Sequence, residues 1–356
     1  MFRNFTLPAA LLLLGVGVWM QATAATTPTT AALPATLQQQ AAAGNAEAQV
    51  KLGLDLIKSK NQADQAAAVE WFRKAAIQGN TDGAWHLGLA DATGDGTGRD
   101  ASAGLNWMRK GIDGFPERMV VYGMMLRSTP ASSGTIDFAS AETWFRKAAE
   151  AGSPMGMYLL AAEELKGHPG VPQNKSDAEH WMLKAAQTGN VEFEGLFGEL
   201  AITGSFGHPD ADRGLKWLRK AARGGSSQAQ GVLGYVLVTG KYGVPKDPAQ
   251  GVEWADKAIT QQNAMGYYAL GFAYKDGING KPSDPAKAWY NFAAAQHTDT
   301  AHALSHVGKY MPEVATQLSS AQIVRAQAKV AKIPLPKHQD NFSIHYDPTQ
   351  LAQLNN

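Results

Sequence analysis

Apolar residues recur at i, i+4 and i+8 through most of this chain, the spacing of a single helical face; Ala48, Leu52 and Leu56 open the pattern. A polar break at Asn61 to Asp64 follows. A second helix then runs from Gln65 to about Gln78, with Ala68, Trp71, Phe72, Ala75 and Ala76 on its apolar side. Gly79-Asn80 ends it, since glycine takes a left-handed conformation without steric cost. This helix–loop–helix–glycine cycle repeats, and tryptophan marks it: Trp71, Trp107, Trp144, Trp181, Trp217, Trp254 and Trp289, at gaps of 36, 37, 37, 36, 37 and 35 residues. A period of that length predicts stacked helix hairpins, each touching only its neighbours.

Each tryptophan sits in a frame. Three residues earlier stands a small residue (Ala68, Gly104, Ala141, Ala178, Gly214, Gly251, Ala286), and four later Ala or Gly. Three later stands lysine in six copies (Lys74, Lys110, Lys147, Lys184, Lys220, Lys257) and Phe292 in the seventh. The indoles are expected to be buried between helices, and the lysines to lay their stems along apolar surface with the ammonium in water. First helices carry a small pair such as Leu52-Gly53, Leu87-Gly88, Tyr122-Gly123, Leu160-Ala161, Phe197-Gly198, Leu233-Gly234 and Leu270-Gly271. Glycine inside a helix costs about 1 kcal/mol against alanine, so close approach of the paired helix is the expected reason for it. Asp64, Asp100, Asp137, Asp210 and Asp247, each seven residues before a tryptophan, are placed to cap the second helices.

The frame stops after His297. Residues 300–333 read as a C-terminal capping helix pair interrupted by Pro312, with Ser320 to Lys329 amphipathic, and 334–356 as an irregular polar tail. At the other end, Arg3, the apolar run Leu7 to Trp19 and the small-x-small site Ala22-Thr23-Ala24 make residues 1–24 a cleavable secretory signal. No cysteine follows it to carry a lipid, and no later stretch approaches spanning length, so a periplasmic protein without membrane insertion is expected. Residues 25–35 form a Thr/Pro/Ala linker, and the repeats occupy 36–299.

Charge narrows the partner. Lys plus Arg number 32 against 31 for Asp plus Glu, a formal net of +1, so no basic excess exists for nucleic acid. With no cysteine, the fold has no disulfide and no thiolate metal site.

The frame resembles the Sel-one-like repeat, a longer-looped relative of the tetratricopeptide repeat. The sixth copy carries it best, in Ala229 to Tyr235, Thr239 to Asp247 and Trp254 to Ala258, and the likeness extends over about residues 40–300. The third copy departs from it at Ser128 to Gly134, and the second at Asp113 to Pro116. The resemblance implies an all-α, right-handed α/α superhelical solenoid of seven repeats, with first helices lining a concave side. Registered on the small pair, the inward positions are Trp85, Met124, Tyr158, Tyr235, Tyr268 and Phe272, with Arg127, Glu192, Glu199, Gln228 and Lys275 as polar neighbours. Aromatic anchors between polar groups suit a protein or peptide partner. The family admits an envelope adaptor or an immunity protein that masks a secreted toxin. A single chain is expected, without cofactor.

Catalysis finds little support in the residues. Gly-x-Ser-x-Gly, Ser-x-x-Lys and His-Glu-x-x-His are absent, Gly240-Lys241 is no phosphate loop, and Asp91 to Ser102 lacks the terminal Glu of a calcium loop. His302 and His306 have a zinc-compatible spacing but no evident third ligand. A hydrolase acting on cell-wall or glycan substrates is the rival class, and Glu163, Glu164, Glu192, Glu194 and Glu199 are its carboxylate candidates. Glu163 and Glu164 diverge by roughly 100° on a helix, so at most one shares a cleft with Glu199. If the leader is read correctly, N-terminal sequencing of the exported chain starts at Ala25; a mature chain that retains Met1 contradicts it.

Overall fold

The computed structural model describes residues 35–59, 61–112, 114–129, 135–278, 280–299 and 305–335. The leader, the linker to residue 34, Asp113, the loop 130–134, His302, the side chain of His306 and the tail from 336 onward lie outside the described residues. All regular structure among the described residues is helical. A short α1 (Ala35–Ala42) precedes seven hairpins: α2 (Ala46–Ile57) with α3 (Gln62–Ile77), α4 (Thr81–Thr93) with α5 (Ala101–Lys110), and α6 (Pro116–Ser128) with α7 (Phe138–Glu150). Then come α8 (Pro154–Lys166) with α9 (Lys175–Gln187), α10 (Val191–Thr203) with α11 (Ala211–Arg223), α12 (Ser227–Thr239) with α13 (Pro248–Thr260), and α14 (Ala264–Asp276) with α15 (Pro285–Thr298). Two closing helices follow, α16 (Met311–Ala315) and α17 (Ser320–Val330).

The hairpins are held by near-contact of backbones, the reason the first helices carry glycine. A Cβ on Gly88 would lie 2.4 Å from the Met108 nitrogen and 2.7 Å from the Gly104 carbonyl. Gly198 meets the Leu218 nitrogen at 2.8 Å and Gly234 the Gly251 carbonyl at 2.9 Å. In these three hairpins glycine stands on both helices. In three others a phenyl ring covers the glycine instead: Phe72 over Gly53 at 2.5 Å, Phe145 over Gly123 at 2.6 Å and Phe292 over Gly271 at 2.4 Å. There the facing small residue is Ala68, Ala141 or Ala288, each fully buried.

That contact corrects the register of the last repeat. Phe72 and Phe145 each follow their tryptophan by one residue, so the residue before Phe292 is the counterpart: Asn291, not Trp289. The caps agree. Asp100, Asp137, Asp210 and Asp247 accept a backbone N–H at the start of their second helices, as expected, and Asn174 does so in the fourth repeat. Asp284 caps the seventh, seven residues before Asn291. Asp64 is not a cap; α3 begins a turn earlier on Asn61, and Asp64 lies in its first turn, facing the positive dipole end. First helices have caps of their own in Asn45, Asn80, Asn190, Ser226 and Asn263.

The tryptophans are less buried than expected. Trp181 and Trp289 are within the core, whereas Trp71, Trp107, Trp144, Trp217 and Trp254 are half-buried. All six frame lysines place their ammonium over the indole one turn back, at 4.1, 4.0, 4.3, 4.5, 4.9 and 4.0 Å from the ring centroid in chain order. Their heads are therefore not simply in water: each adds a cation–π contact worth about 0.5–1 kcal/mol at such exposed sites.

The chain divides into two compact units. In the N-terminal one, to Leu160 with His168–Pro172, separate apolar clusters form along the hairpins, one around Phe72 and Leu87 and another around Trp85, Met108 and Tyr122. In the C-terminal one, one continuous core runs from Ile202 to Val330. The closing segments contribute Val307, Val314, Ala326 and Val330 to it, covering the last repeat's apolar face as a terminal cap must. The hairpin contact predicts that Gly88→Ala destabilises by about 1–3 kcal/mol through forced backbone movement. Gly98→Ala, with nothing within 4 Å of the added methyl, changes stability by less than about 0.5 kcal/mol. Urea denaturation of the two variants checks this, and equal losses contradict it.

Candidate partner-binding surface

First helices α10, α12 and α14 lie side by side in the C-terminal unit. Their N-terminal ends are tied by a polar ladder with the repeat's own spacing. Ser226 donates its hydroxyl to the Glu192 carboxylate at 2.9 Å, and Asn263 donates its amide to the Gln228 oxygen at 3.3 Å. Behind them, Gln230 donates to the Ala222 carbonyl at 3.0 Å and accepts from Gln261 at 2.9 Å, satisfying a carbonyl at the end of α11.

Glu192 and Glu199 are seven residues apart on α10, two turns along one face, and both are half-buried. Burial raises both carboxyls above the usual carboxylate range, against the Ser226 hydrogen bond for Glu192 and the Gln228 hydrogen bond for Glu199. Neither forms an ion pair among the described residues. Glu194 between them points elsewhere: it is buried and bridged to Lys220 at 2.6 Å. Two carboxylates are therefore kept partly out of water without an ion pair among the described residues.

Beside them lies an aromatic cluster. The rings of Tyr235 and Tyr268 stack at 5.1 Å, Phe272 meets Tyr268 edge-on at 5.0 Å, and Tyr310 closes on Phe272 at 4.9 Å. Lys241, on the turn after α12, hydrogen-bonds the Tyr235 hydroxyl and holds its ammonium 5.0 Å from the Tyr235 ring and 5.7 Å from that of Phe272. Burial and the Tyr310 phenol push Tyr235 up to about 12, with the Tyr268 hydrogen bond opposing. Burial, then the Tyr235 phenol and Glu199, push Tyr242 up to about 12 against the Lys241 charge. Burial is the main cause that raises Tyr268 too. Tyr235, Tyr242 and Tyr268 are therefore neutral at physiological pH.

The structure thus sorts the eleven residues expected to line the partner surface. Tyr235, Tyr268 and Phe272 retain 4%, 1% and 8% of their surface, so they form a floor among themselves rather than projecting anchors. Glu192, Glu199 and Gln228 keep exposed atoms next to that floor. In the N-terminal unit, Trp85 is fully buried under the Arg118 guanidinium at 5.4 Å, and Arg118 pairs with Asp82. Tyr158 is also buried, whereas Met124 and Arg127 are half-exposed. Lys275 pairs with Glu313 of α16 at 3.1 Å. Glu163 and Glu164 are both buried, so neither shares an open cleft with Glu199. Among the described residues no group of three or more His, Asp or Glu is arranged to hold a metal ion, and no helix is long and apolar enough to cross a membrane. Sequence reasoning missed Lys241, Tyr242 and Tyr310, which lie off the first helices.

A family model for the Sel1 repeat matches residues 46–80, 81–114, 133–153, 154–190, 199–226, 227–263 and 264–295. Among solved structures, a protective antigen with an SLR fold from uropathogenic Escherichia coli is 25% identical, with a TM-score of 0.65 over 90% of this chain. This chain spans 65% of that protein's length. A Sel1 repeat protein from Oxalobacter formigenes is also 25% identical, with a TM-score of 0.53 over 84% of this chain and 99% of its own. An immunity protein from Pseudomonas aeruginosa is 18% identical with a TM-score of 0.33 over 60% of this chain and 81% of its own. No curated protein matches the sequence.

An ionised carboxylate without a cation costs stability. Because the folded protein raises Glu199, it favours the protonated form, and the penalty appears as pH rises through that pKa and disappears below it. Glu199→Gln should stabilise the protein at pH 7 by up to about 1 kcal/mol. The gain should shrink towards zero as pH falls below the carboxylate range. Thermal unfolding of both proteins across pH 3 to 7 reads the difference, and a Gln variant no more stable at pH 7 contradicts it.

Proposed function

This chain belongs to the Sel1 repeat family, whose repeats serve generally as protein-interaction scaffolds, and we propose that it is an exported scaffold holding a polypeptide partner on its first helices. The observation that carries this reading is the pair Glu192 and Glu199: half-buried, on one face of α10, with no ion pair among the described residues. Retained charges of that kind disfavour the isolated protein and reward a partner that supplies the missing opposite charge. Gln228 and the rigid aromatic floor beside them supply hydrogen bonds and shape with little ordering cost. In the N-terminal unit, Met124 and Arg127 keep surface for the same role. The buried Trp85, Tyr158, Tyr235, Tyr268 and Phe272 then act by holding the surface in shape. The family's general scaffold role, and the burial of Glu163, Glu164 and Glu194, favour this reading over a glycan hydrolase. The secretory signal read at residues 1–24 supports an encounter in the periplasm.

The partner is found by cross-linking the mature chain in its own envelope extract, with Glu192→Gln/Glu199→Gln as the comparison. One polypeptide should be captured by the parent and lost, or weakened at least ~10-fold, by the double variant; each 1.4 kcal/mol of lost pairing is tenfold in affinity. The variant's unchanged helical circular dichroism excludes unfolding as the cause. Equal capture by both contradicts the assignment. The measured affinity also separates two finer roles: a constant near ~1 nM fits an immunity protein that masks a toxin, and one near ~1 μM an adaptor.

A further inference from the structure

The turn after α12 carries two lysines whose side chains are held in place. Lys241 donates to the Tyr235 hydroxyl and sets its ammonium 5.0 Å from the Tyr235 ring and 5.7 Å from the Phe272 ring. Those rings are themselves locked, since Tyr235 stacks on Tyr268 and Phe272 meets both Tyr268 and Tyr310 edge-on. Lys246 is held differently. A Cβ on Gly240 would lie 2.6 Å from the Lys246 Cγ and 3.3 Å from its Cε, so the lysine stem runs across the glycine that precedes Lys241. Both lysines are exposed, and neither forms an ion pair among the described residues. Asp247, the next acid along the chain, gives its carboxylate to the Gln250 N–H in the first turn of α13.

The backbone between the two lysines is fixed as well. The Lys241 carbonyl accepts from the Val244 N–H at 3.1 Å, and Val244 is buried. Tyr242 stands at φ 59° and ψ 28°, the left-handed region, which a bulky residue adopts only where its surroundings impose it. Its ring packs against the core of the C-terminal unit. A free lysine loses rotamer freedom when it joins an ion pair, and this cancels much of the attraction. In this turn that freedom is already restricted before anything binds, so an arriving carboxylate meets pre-ordered ammonium groups. Lys241 keeps two of its three N–H donors for it after serving Tyr235.

We propose that Lys241 and Lys246 form a clamp for an acidic segment of the partner, which brings two carboxylate side chains to this turn. The proposal rests on the reading that the protein holds a polypeptide, and it adds a contact of opposite sign to the one at Glu192 and Glu199. A partner segment with basic residues alone is disfavoured here, because both ammonium groups repel it.

The test uses the mature chain with nitrogen-labelled glycine, and binding is read from the Gly240 and Gly243 amide resonances. The probes are a capped Gly-Glu-Gly-Glu-Gly peptide, its Gln counterpart, and the Gln peptide with a free C-terminal carboxylate. At low ionic strength the Glu peptide should bind ~5-fold more tightly than the capped Gln peptide, the size expected of two exposed ion pairs. The free C-terminus should add less than ~2-fold. Lys241→Met and Lys246→Met should each remove part of the gain and together all of it. Lys332→Met, the same change of charge beyond α17, should leave it intact. Tyr235→Phe keeps the ring but drops the hydroxyl that holds Lys241, so it should weaken the Glu peptide and not the Gln peptide. A Glu peptide no tighter than its Gln counterpart, a gain that survives the double Met variant, or equal losses in Lys332→Met overturn the proposal. If partner capture stays sensitive to E192Q/E199Q after such a result, only this inference falls. If that sensitivity is absent as well, the scaffold reading falls with it.

Discussion

In six of the seven hairpins the two helices come close enough that a methyl group on the first-helix glycine does not fit between them, and this constraint organises the repeat; the fourth carries Ala161 there. The chain meets it in two ways. Where the second helix offers glycine (Gly104, Gly214, Gly251), the next turn carries Met108, Leu218 or Ala255, and the two backbones touch. Where it offers alanine (Ala68, Ala141, Ala288), the next turn carries Phe72, Phe145 or Phe292, whose ring lies on the first-helix glycine. A larger residue at one position accompanies a larger one a turn later, which is how a seam of fixed shape but adjustable width is filled. Side-chain caps then fix where the second helices begin, and Lys-over-Trp pairs brace six of them.

Much of this was legible because it repeats. Seven copies let weak signals add: the Leu-Gly pair, the Asp before the second helix and the small residue before Trp each point to the same hairpin. What failed did so where one strong residue outweighed the frame. Trp289 fits the tryptophan series by type, but it lies two residues from the position that the Asp284 cap and the Phe292–Gly271 contact define. A bulky aromatic is favourable at several places on a buried face, so residue type alone does not set register. Asp64 failed similarly, because a shorter loop lets Asn61 start the helix first.

The candidate surface was harder to read for a different reason. Position on a helix says which way a side chain leaves, not whether a neighbouring helix already covers it. Tyr268 and Phe272 are covered by Tyr235, Tyr310 and the turn at Lys241. The polar residues Glu192, Glu199 and Gln228 keep their exposure because a charged or amide tip gains more from water than from the aromatic floor. The backbone of Tyr242 has no signature in a single sequence. Stability and recognition thus pull apart at this place: a core rich in rings is bordered by charges that the isolated protein would do better without.

The hairpin seam is tested most directly by a double-mutant cycle in the fifth repeat, with Gly214→Ala, Leu218→Phe and the two together compared by equilibrium unfolding. If the seam has the two solutions described, each single substitution destabilises, and the pair, which recreates the alanine-plus-phenylalanine arrangement, recovers part of the loss with a coupling above about 0.5 kcal/mol. Losses that simply add, or a double variant worse than their sum, would mean that the glycine contacts are incidental and that some other interaction holds the hairpins in register.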